Sequence, residues 1–148
     1  MCIYFVETRT AEQKDLLCRW TERFYLEKKR VRIVVDSAAA GQLIDQALWT
    51  FSQSAFIPHA CHHGVGAIPE EPVVITLGEF PSAGCNAVIC DYAAGLEFMI
   101  TFEDAVHFIL KDDPEATQKS RTLWLAARDS GANLVHVPSG QSMGAVQV

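Results

Sequence analysis

Four side chains of the kind that hold transition metals crowd one short stretch of the chain: His59, Cys61, His62 and His63. Imidazole nitrogen and thiolate sulfur are zinc ligands, and His59 with Cys61 or His63 could share one ion. A site of that sort would suit a small α/β enzyme or a metal- or cofactor-binding protein. Two features weigh against it. The neighbouring side chains of His62 and His63 point apart on most backbones, and no second ligand cluster stands at the spacing of a zinc finger. The pattern therefore favours solvated loop histidines and implies no metal. Phosphate-binding and nucleophile motifs are absent as well: there is no G-x-x-x-x-G-K-[ST], no G-x-G-x-x-G after a strand and no G-x-S-x-G. The first strand-to-helix connection, Glu7 to Thr10, contains no glycine, so a nucleotide phosphate could not approach its backbone closely. Gly64-Val65-Gly66 is too short and isolated to replace it.

Two other groups of residues suit protein recognition better than catalysis. The segment LIDQALWTFSQSAFIPH, from Leu43 to His59, closes a helix on Trp49 and passes through a polar loop into Phe56-Ile57-Pro58-His59. Trp and Phe offer large rigid contact areas, and Pro58 fixes the local backbone before any partner arrives. The alternative is that Trp49 and Phe56 roof the domain's own core, as most large aromatics do in part. Further along, Arg121, Trp124 and Arg128 stand at i, i+3 and i+7 and share one helical face. The face beside it, Ala116, Ser120, Leu123 and Ala127, packs close to a sheet. A tryptophan flanked by guanidinium groups makes a shallow pocket for a peptide with an apolar residue and carboxylates. Taken alone, these residues read more simply as a half-buried Trp124 between two solvated arginines.

The elements that must position these groups follow from apolar periodicity. Cys2 to Val6 is a short strand. Thr10 is expected to cap the first helix, with Gln13 completing a capping box, and Leu17, Trp20 and Phe24 form its apolar stripe. The cluster Lys28-Lys29-Arg30 is expected to oppose the dipole at that helix's end. Val31 to Val35 reads as a buried strand, and Asp36 or Ser37 caps a second helix running to about Trp49. Val73 to Thr76 and Ala87 to Cys90 are further strands. Gly and Pro density from Ala60 to Pro72 and from Gly78 to Gly84 predicts loops. Ala105 to Leu110 fits a strand. Asp113, Pro114 and Glu115 start a last helix that reaches Ser130, where Gly131 supplies a left-handed closing residue. Leu134 to Val137 is the final strand, and a mobile tail is expected over residues 139–148. Alternation of this kind implies a single three-layer α/β/α domain over residues 1–138 with a largely parallel sheet, Rossmann-like but without a nucleotide site.

Composition narrows the function further. The 148 residues are 49% hydrophobic and 20% charged, as in an ordinary globular domain. No run approaches ~18 uninterrupted apolar residues, and the start MCIYFVETRT lacks the basic and apolar segments of a signal peptide, so the expected location is the cytoplasm. Five scattered cysteines fit small core hydrophobes in a reducing compartment. A net charge of -6 weighs against direct DNA binding, which depends on neutralising phosphates with Lys and Arg.

Several segments in order, IYFV (Ile3 to Val6), KKRVRIVVD (Lys28 to Asp36), ALW followed by FIPH, DAVHFIL (Asp104 to Leu110) and GANL (Gly131 to Leu134), resemble the chi subunit family of bacterial DNA polymerase III. The match is poor between Ala60 and Asn86. The resemblance implies an α/β/α adaptor with no catalytic site, no cofactor and two partners. Trp49, Phe56 and Pro58 would hold the clamp-loader subunit psi, or a helicase-like protein competing for the same surface. The last helix and the strand before it would hold the acidic, apolar C-terminal tail of single-stranded-DNA-binding protein. Arg121 and Trp124 fall where the family has its tail-binding arginine and an aromatic, Ile109 lies on the pocket's apolar side, and Arg128 belongs to the same expected set. The resemblance thus reverses the simpler reading of Trp124. Thr117 and Leu125 occupy positions where a better-known member of the family carries lysines, and Lys119 lies on the far side of the helix, which implies a weaker or less salt-sensitive tail contact.

Overall fold

Strand alternation decides which layer each side chain joins. The structure, a computed structural model, describes residues 1–51, 56–62, 67–79 and 84–140. Its first strand, β1 (Cys2–Thr8), sends Tyr4 and Val6 to one face of the sheet and Ile3 and Phe5 to the other, and all four are buried. A strand apolar on both sides must be covered on both sides, and the chain supplies a helical layer for each.

One layer holds α1 (Gln13–Leu26) and α2 (Ala38–Thr50). Leu17, Trp20 and Phe24 of α1 and Ile44 and Leu48 of α2 enter the core with Tyr4, and the Tyr4 and Trp20 rings lie 4.9 Å apart. The other layer holds the short α3 (Leu96–Met99) and α4 (Pro114–Asp129), with Met99 and Ala127 packed on Ile3 and Phe5. Between them lie β2 (Val31–Val35), β3 (His59–His62), β4 (Val73–Leu77), β5 (Ala87–Cys90), β6 (Asp104–Leu110) and β7 (Asn133–Val137). The seven strands form one sheet in the order β3-β4-β2-β5-β6-β1-β7, with every pairing parallel. This is the three-layer arrangement expected from the sequence. Among the described residues no helix is long and apolar enough to cross a membrane.

Helix starts follow local chemistry in two cases and depart from it in a third. The Ser37 side chain accepts the Ala40 N–H at 3.1 Å, and the Asp113 carboxylate accepts those of Glu115 and Ala116, each at 3.1 Å, with Pro114 in the first turn. Gly131 closes the region after α4 at a φ of 84°. Thr10, in contrast, caps nothing: Thr10–Glu12 is a short 3₁₀ turn, and α1 begins at Gln13 without a side-chain cap. The Thr10 hydroxyl and N–H instead donate to the Asp112 carboxylate, both at 3.1 Å. The basic cluster also acts elsewhere. Lys29 reaches the Asp104 carboxylate at 2.5 Å, at the start of β6, and Arg30 donates to the Pro69 carbonyl, so both tie the α1–β2 turn to neighbouring segments. Two elements were not expected. β3 falls largely in the stretch that Gly and Pro density marks as loop, and its four residues, His-Ala-Cys-His, have no β-branched run to signal a strand, while α3 is too short for periodicity to register. The expected tail lies mostly outside the described residues.

At the carboxyl ends of the strands, Asp91 follows β5, and the Gln13 amide donates to its carbonyl at 2.9 Å and its carboxylate at 3.2 Å. Burial, reinforced by the charge of Asp36, pushes the Asp91 carboxyl up to about 6. A folded-state value above the unfolded one favours the protonated native form. The stabilisation it gives is present in acid and lost as pH rises through about 6. Asp91→Asn cannot ionise, so urea unfolding should show the variant gaining on the parent by about 1–3 kcal/mol between pH 4.5 and pH 8. A stability difference that does not change with pH would show that Asp91 titrates normally.

Candidate functional site

The rotation of α4 about its axis decides what that helix presents, and three polar contacts fix it. Asp113 sets the first turn. The Thr117 hydroxyl donates to the Leu110 carbonyl at 2.8 Å, and Ser120 Oγ meets His107 Nε2 at 2.8 Å beneath the helix. Burial pushes His107 down to about 4, so the ring is neutral near pH 7 and costs no buried charge in this position. With Ser120 and Ala127 facing inward, Arg121, Trp124 and Leu125 turn toward the flank of the sheet formed by β1 and β7.

There they line a groove of about 790 Å³, with Ile109 of β6 and Phe5 of β1 as its apolar wall. The Trp124 ring stands edge-on to Phe5, with centroids 4.9 Å apart and planes at 72°. Ile109, Arg121 and Trp124 are therefore brought together. Arg128 does not line the groove: it lies two turns along the exposed side of α4, with its guanidinium 3.5 Å from Asp129. Thr117 and Leu125 both line the groove, and Leu125 is half-exposed. Lys119 lies on another side of α4, near Glu115 at 4.0 Å.

The groove also holds three charged or titratable residues that sequence reasoning missed. The Glu7 carboxylate receives Lys111 Nζ at 3.1 Å, His136 Nε2 at 2.6 Å and the Ser139 N–H at 3.4 Å. Burial alone would raise the Glu7 carboxyl, but hydrogen bonds from Lys111, His136 and the Ser139 amide outweigh it and hold the group below the usual carboxylate range. Glu7 is thus an anion at neutral pH and occupies Lys111. Among the described residues Arg121 enters no ion pair, so it is the cation of the groove left uncommitted.

The second group of residues sits at the opposite edge of the sheet. Six strand spacings separate the two edges, roughly 29 Å at ~4.8 Å each. Trp49 is 53% and Phe56 65% exposed, so neither roofs the core. Their ring centroids are 5.5 Å apart. The segment between them and β3 is pinned from below: Ile57 is buried, and the His59 ring lies under Trp49 at 4.7 Å. His59 Nδ1 meets the Ile57 carbonyl at 2.7 Å, while Nε2 lies 3.2 Å from the Asp45 carbonyl and 3.1 Å from its carboxylate. Pro58, half-buried, joins these anchors.

That commitment of both ring nitrogens bears on the metal alternative. His59 is a clamp for the aromatic segment, and burial followed by the Asp45 charge raises the Cys61 thiol away from the thiolate form. Among the described residues no group of three potential ligands gathers, and His63 lies outside them.

A family model described as DNA polymerase III chi subunit, HolC, matches residues 1–135. No curated protein matches the sequence. Two solved structures share the fold. A variant of the S. cerevisiae Dbp5 C-terminal domain, bound to a Gle1 variant and IP6, gives a TM-score of 0.66 at 14% identity, over 94% of this chain and 90% of that one. Mss116p DEAD-box helicase domain 2, bound to an RNA duplex, gives 0.60 at 10% identity, over 97% of this chain and 65% of that one. At such identities the likeness concerns the backbone arrangement alone.

The aromatic segment can be tested by its division of labour. Phe56→Ala should melt within about 4 °C of the parent, because truncating an exposed side chain costs little. Ile57→Ala should lose about 2–5 kcal/mol of unfolding free energy through the cavity it leaves. Calorimetry that ranked the two variants the other way would place Phe56 in the core.

Proposed function

The chain belongs to the DNA polymerase III chi-subunit family, and from that premise we propose that it is a non-enzymatic adaptor of the replicase. In this reading the surface of Trp49, Phe56 and Pro58 holds the clamp-loader subunit psi, or a helicase-like protein competing for it. The groove of Ile109, Arg121 and Trp124 holds the C-terminal tail of single-stranded-DNA-binding protein, with Arg128 meeting ligand charge beyond the groove. The observation that carries the reading is the groove: an uncommitted guanidinium beside an apolar wall, in a cleft of about 790 Å³ open to solvent. The exposed Trp49–Phe56 pair supports the other half, since solvent-facing aromatics on a pinned backbone resemble interface hot spots.

Placing the two contacts at opposite edges of one rigid sheet suits tethering. Once one partner is held, the other contact forms at a high effective concentration, and neither partner must leave room for the other. The adaptor would join the clamp loader to template already coated with its binding protein.

Exchange of one contact at a time tests this assignment. Arg121→Ala should weaken binding of the host tail peptide by about 1.5–3 kcal/mol by titration calorimetry while leaving psi binding intact. Phe56→Ala should do the reverse, losing about 2 kcal/mol or more of psi affinity and retaining the tail. If each variant impaired both partners equally, there would be one surface, not two.

Charge supplies a second test. At a net charge of -6 the protein should bind bare single-stranded DNA feebly at physiological salt, yet be retained by DNA coated with its binding protein. Gel shifts with and without the coat protein decide the matter, and tight binding to naked DNA would overturn the adaptor reading.

A further inference from the structure

His107 is only 3% exposed, and its Nδ1 has no hydrogen-bond partner among the described residues. Buried nitrogens are nearly always paired, so this one calls for a partner. It borders a cleft of about 310 Å³ at the carboxyl ends of β5 and β6. Lys119 and Ser120 of α4 line one side, Gln13 of α1 another, and Asp91 and Tyr92, just past β5, a third. The place is a topological switch point: β6 feeds α4 on one face of the sheet, while its neighbour β1 feeds α1 on the other. Open α/β sheets take up small molecules at such points. Apart from Ser120, the cleft shares no lining residue with the groove beside Trp124.

The lining disfavours an anion. Three carboxylates, Asp91, Asp113 and Glu115, stand against one cation, Lys119. The amides of Glu115 and Ala116 already donate to Asp113, so the chain's own anion occupies the start of α4. Asp91 enters no ion pair among the described residues and accepts the Gln13 amide at 3.2 Å. In the register of β5 with β6, Cys90 is level with His107, so Asp91 stands one residue beyond it on the adjacent strand. At ~4.8 Å between strands and ~3.3 Å along them, the two backbones are roughly 6 Å apart, within reach of one small ligand.

We propose that the cleft binds a small organic cation, an ammonium or amidinium group on a compact apolar body, whose N–H groups donate to Asp91 and to His107 Nδ1. The Ser120 hydroxyl, 2.8 Å from Nε2, can accept from that nitrogen or donate to it. The ring can therefore take the tautomer that turns an Nδ1 lone pair toward such a donor. Phe108, Leu110 and Ala116 supply apolar surface for the body to pack against. A volume of about 310 Å³ is at the lower end of small-molecule sites and suits a single ring or a short chain. The site is independent of both partner contacts.

Three probes of one shape test this: benzamidine as its amidinium, neutral benzamide and anionic benzoate. In NMR titrations of the full chain at pH 7.5, benzamidinium should bind about tenfold or more tightly than either, the scale of a charge-assisted contact. It should shift the amides of Asp91, Tyr92 and Ala116 and the His107 ring nitrogens. Asp91→Asn should weaken its binding about tenfold. Burial, reinforced by Asp36, raises the Asp91 carboxyl to about 6, so the parent should bind about three- to tenfold more weakly at pH 5 than at pH 7.5. The variant should show no such loss. Lys14 and Asp36 act on Asp91 from the helices beside it, and Asp113, Glu115 and Lys119 face it across the cleft; His107, pushed down to about 4 by burial, stays neutral over this range. The inference is overturned if benzamide or benzoate binds as tightly as benzamidinium, or if the parent's affinity is the same at both pH values. It is overturned equally if a folded Asp91→Asn keeps the parent's affinity, if the shifts centre on the exposed Trp49 and Phe56, or if no probe binds. The comparison of probes uses the parent alone and stands whatever the variant's stability.

Discussion

A parallel sheet whose strands are apolar on both sides must be covered twice, and this constraint organises the whole chain. Because β1 alternates Tyr4 and Val6 against Ile3 and Phe5, the helices have to divide between two layers. On one face α1 and α2 bring large side chains such as Trp20, Phe24 and Leu48. On the other, α4 is the long helix, and its buried positions, Ser120 and Ala127, are small. Small residues let α4 lie close to β6, where the His107–Ser120 contact holds it. A helix drawn close over β6 leaves the flank toward β1 and β7 partly open. The groove between Trp124, Phe5 and Glu7 is therefore a result of how the sheet is covered, not an addition to the fold.

Much of this was legible in the sequence because the signals were local. The runs at Val31–Val35 and Ala87–Cys90, the caps at Ser37 and Asp113, and the left-handed Gly131 each depend on a few adjacent residues. The misreadings share one cause, which is that a distant partner overrode local preference. Thr10 has the chemistry of a cap but finds the Asp112 carboxylate across 102 residues. Lys29 could have faced the end of α1 but finds Asp104. The segment of β3 has no strand propensity of its own and is a strand because β4 offers it a free edge.

The candidate sites divide in the same way. Arg121 and Trp124 could be placed together from helical spacing alone, and Ile109 could join them only through the family resemblance. Arg128 shares the helical face but lies beyond the groove, since two turns of helix carry it about 10 Å along the axis. Glu7 could not be seen as part of any site. Its partners Lys111 and His136 stand 104 and 129 residues away, and only the registers of β1 with β6 and β7 bring them to it. His59 shows the opposite error of emphasis. Its residue type suggested a metal ligand, whereas its two nitrogens hold the backbone beneath Trp49.

The likeness in fold to helicase domains sharpens the question of what the carboxyl edge of this sheet does. In open α/β sheets that edge, at the start of the helix after the first strand, is where anions are usually taken up, by backbone amides and the positive end of the helix dipole. Here the chain fills that position itself. The Asp112 carboxylate accepts the Thr10 N–H and hydroxyl, and the hydrogen bond from the Thr10 amide is the leading reason that carboxyl lies below its ordinary range. The glycines that would let a phosphate approach are missing from Glu7 to Thr10, and an internal anion satisfies a donor that a phosphate would otherwise satisfy. With that position filled, the two partner contacts proposed above fall at the sheet's lateral edges, the Trp49–Phe56 pair by β3 and the Arg121–Trp124 groove by β7. A rigid parallel sheet serves such an arrangement well, because its hydrogen-bonded width sets the distance between the two contacts and holds it constant while either is occupied.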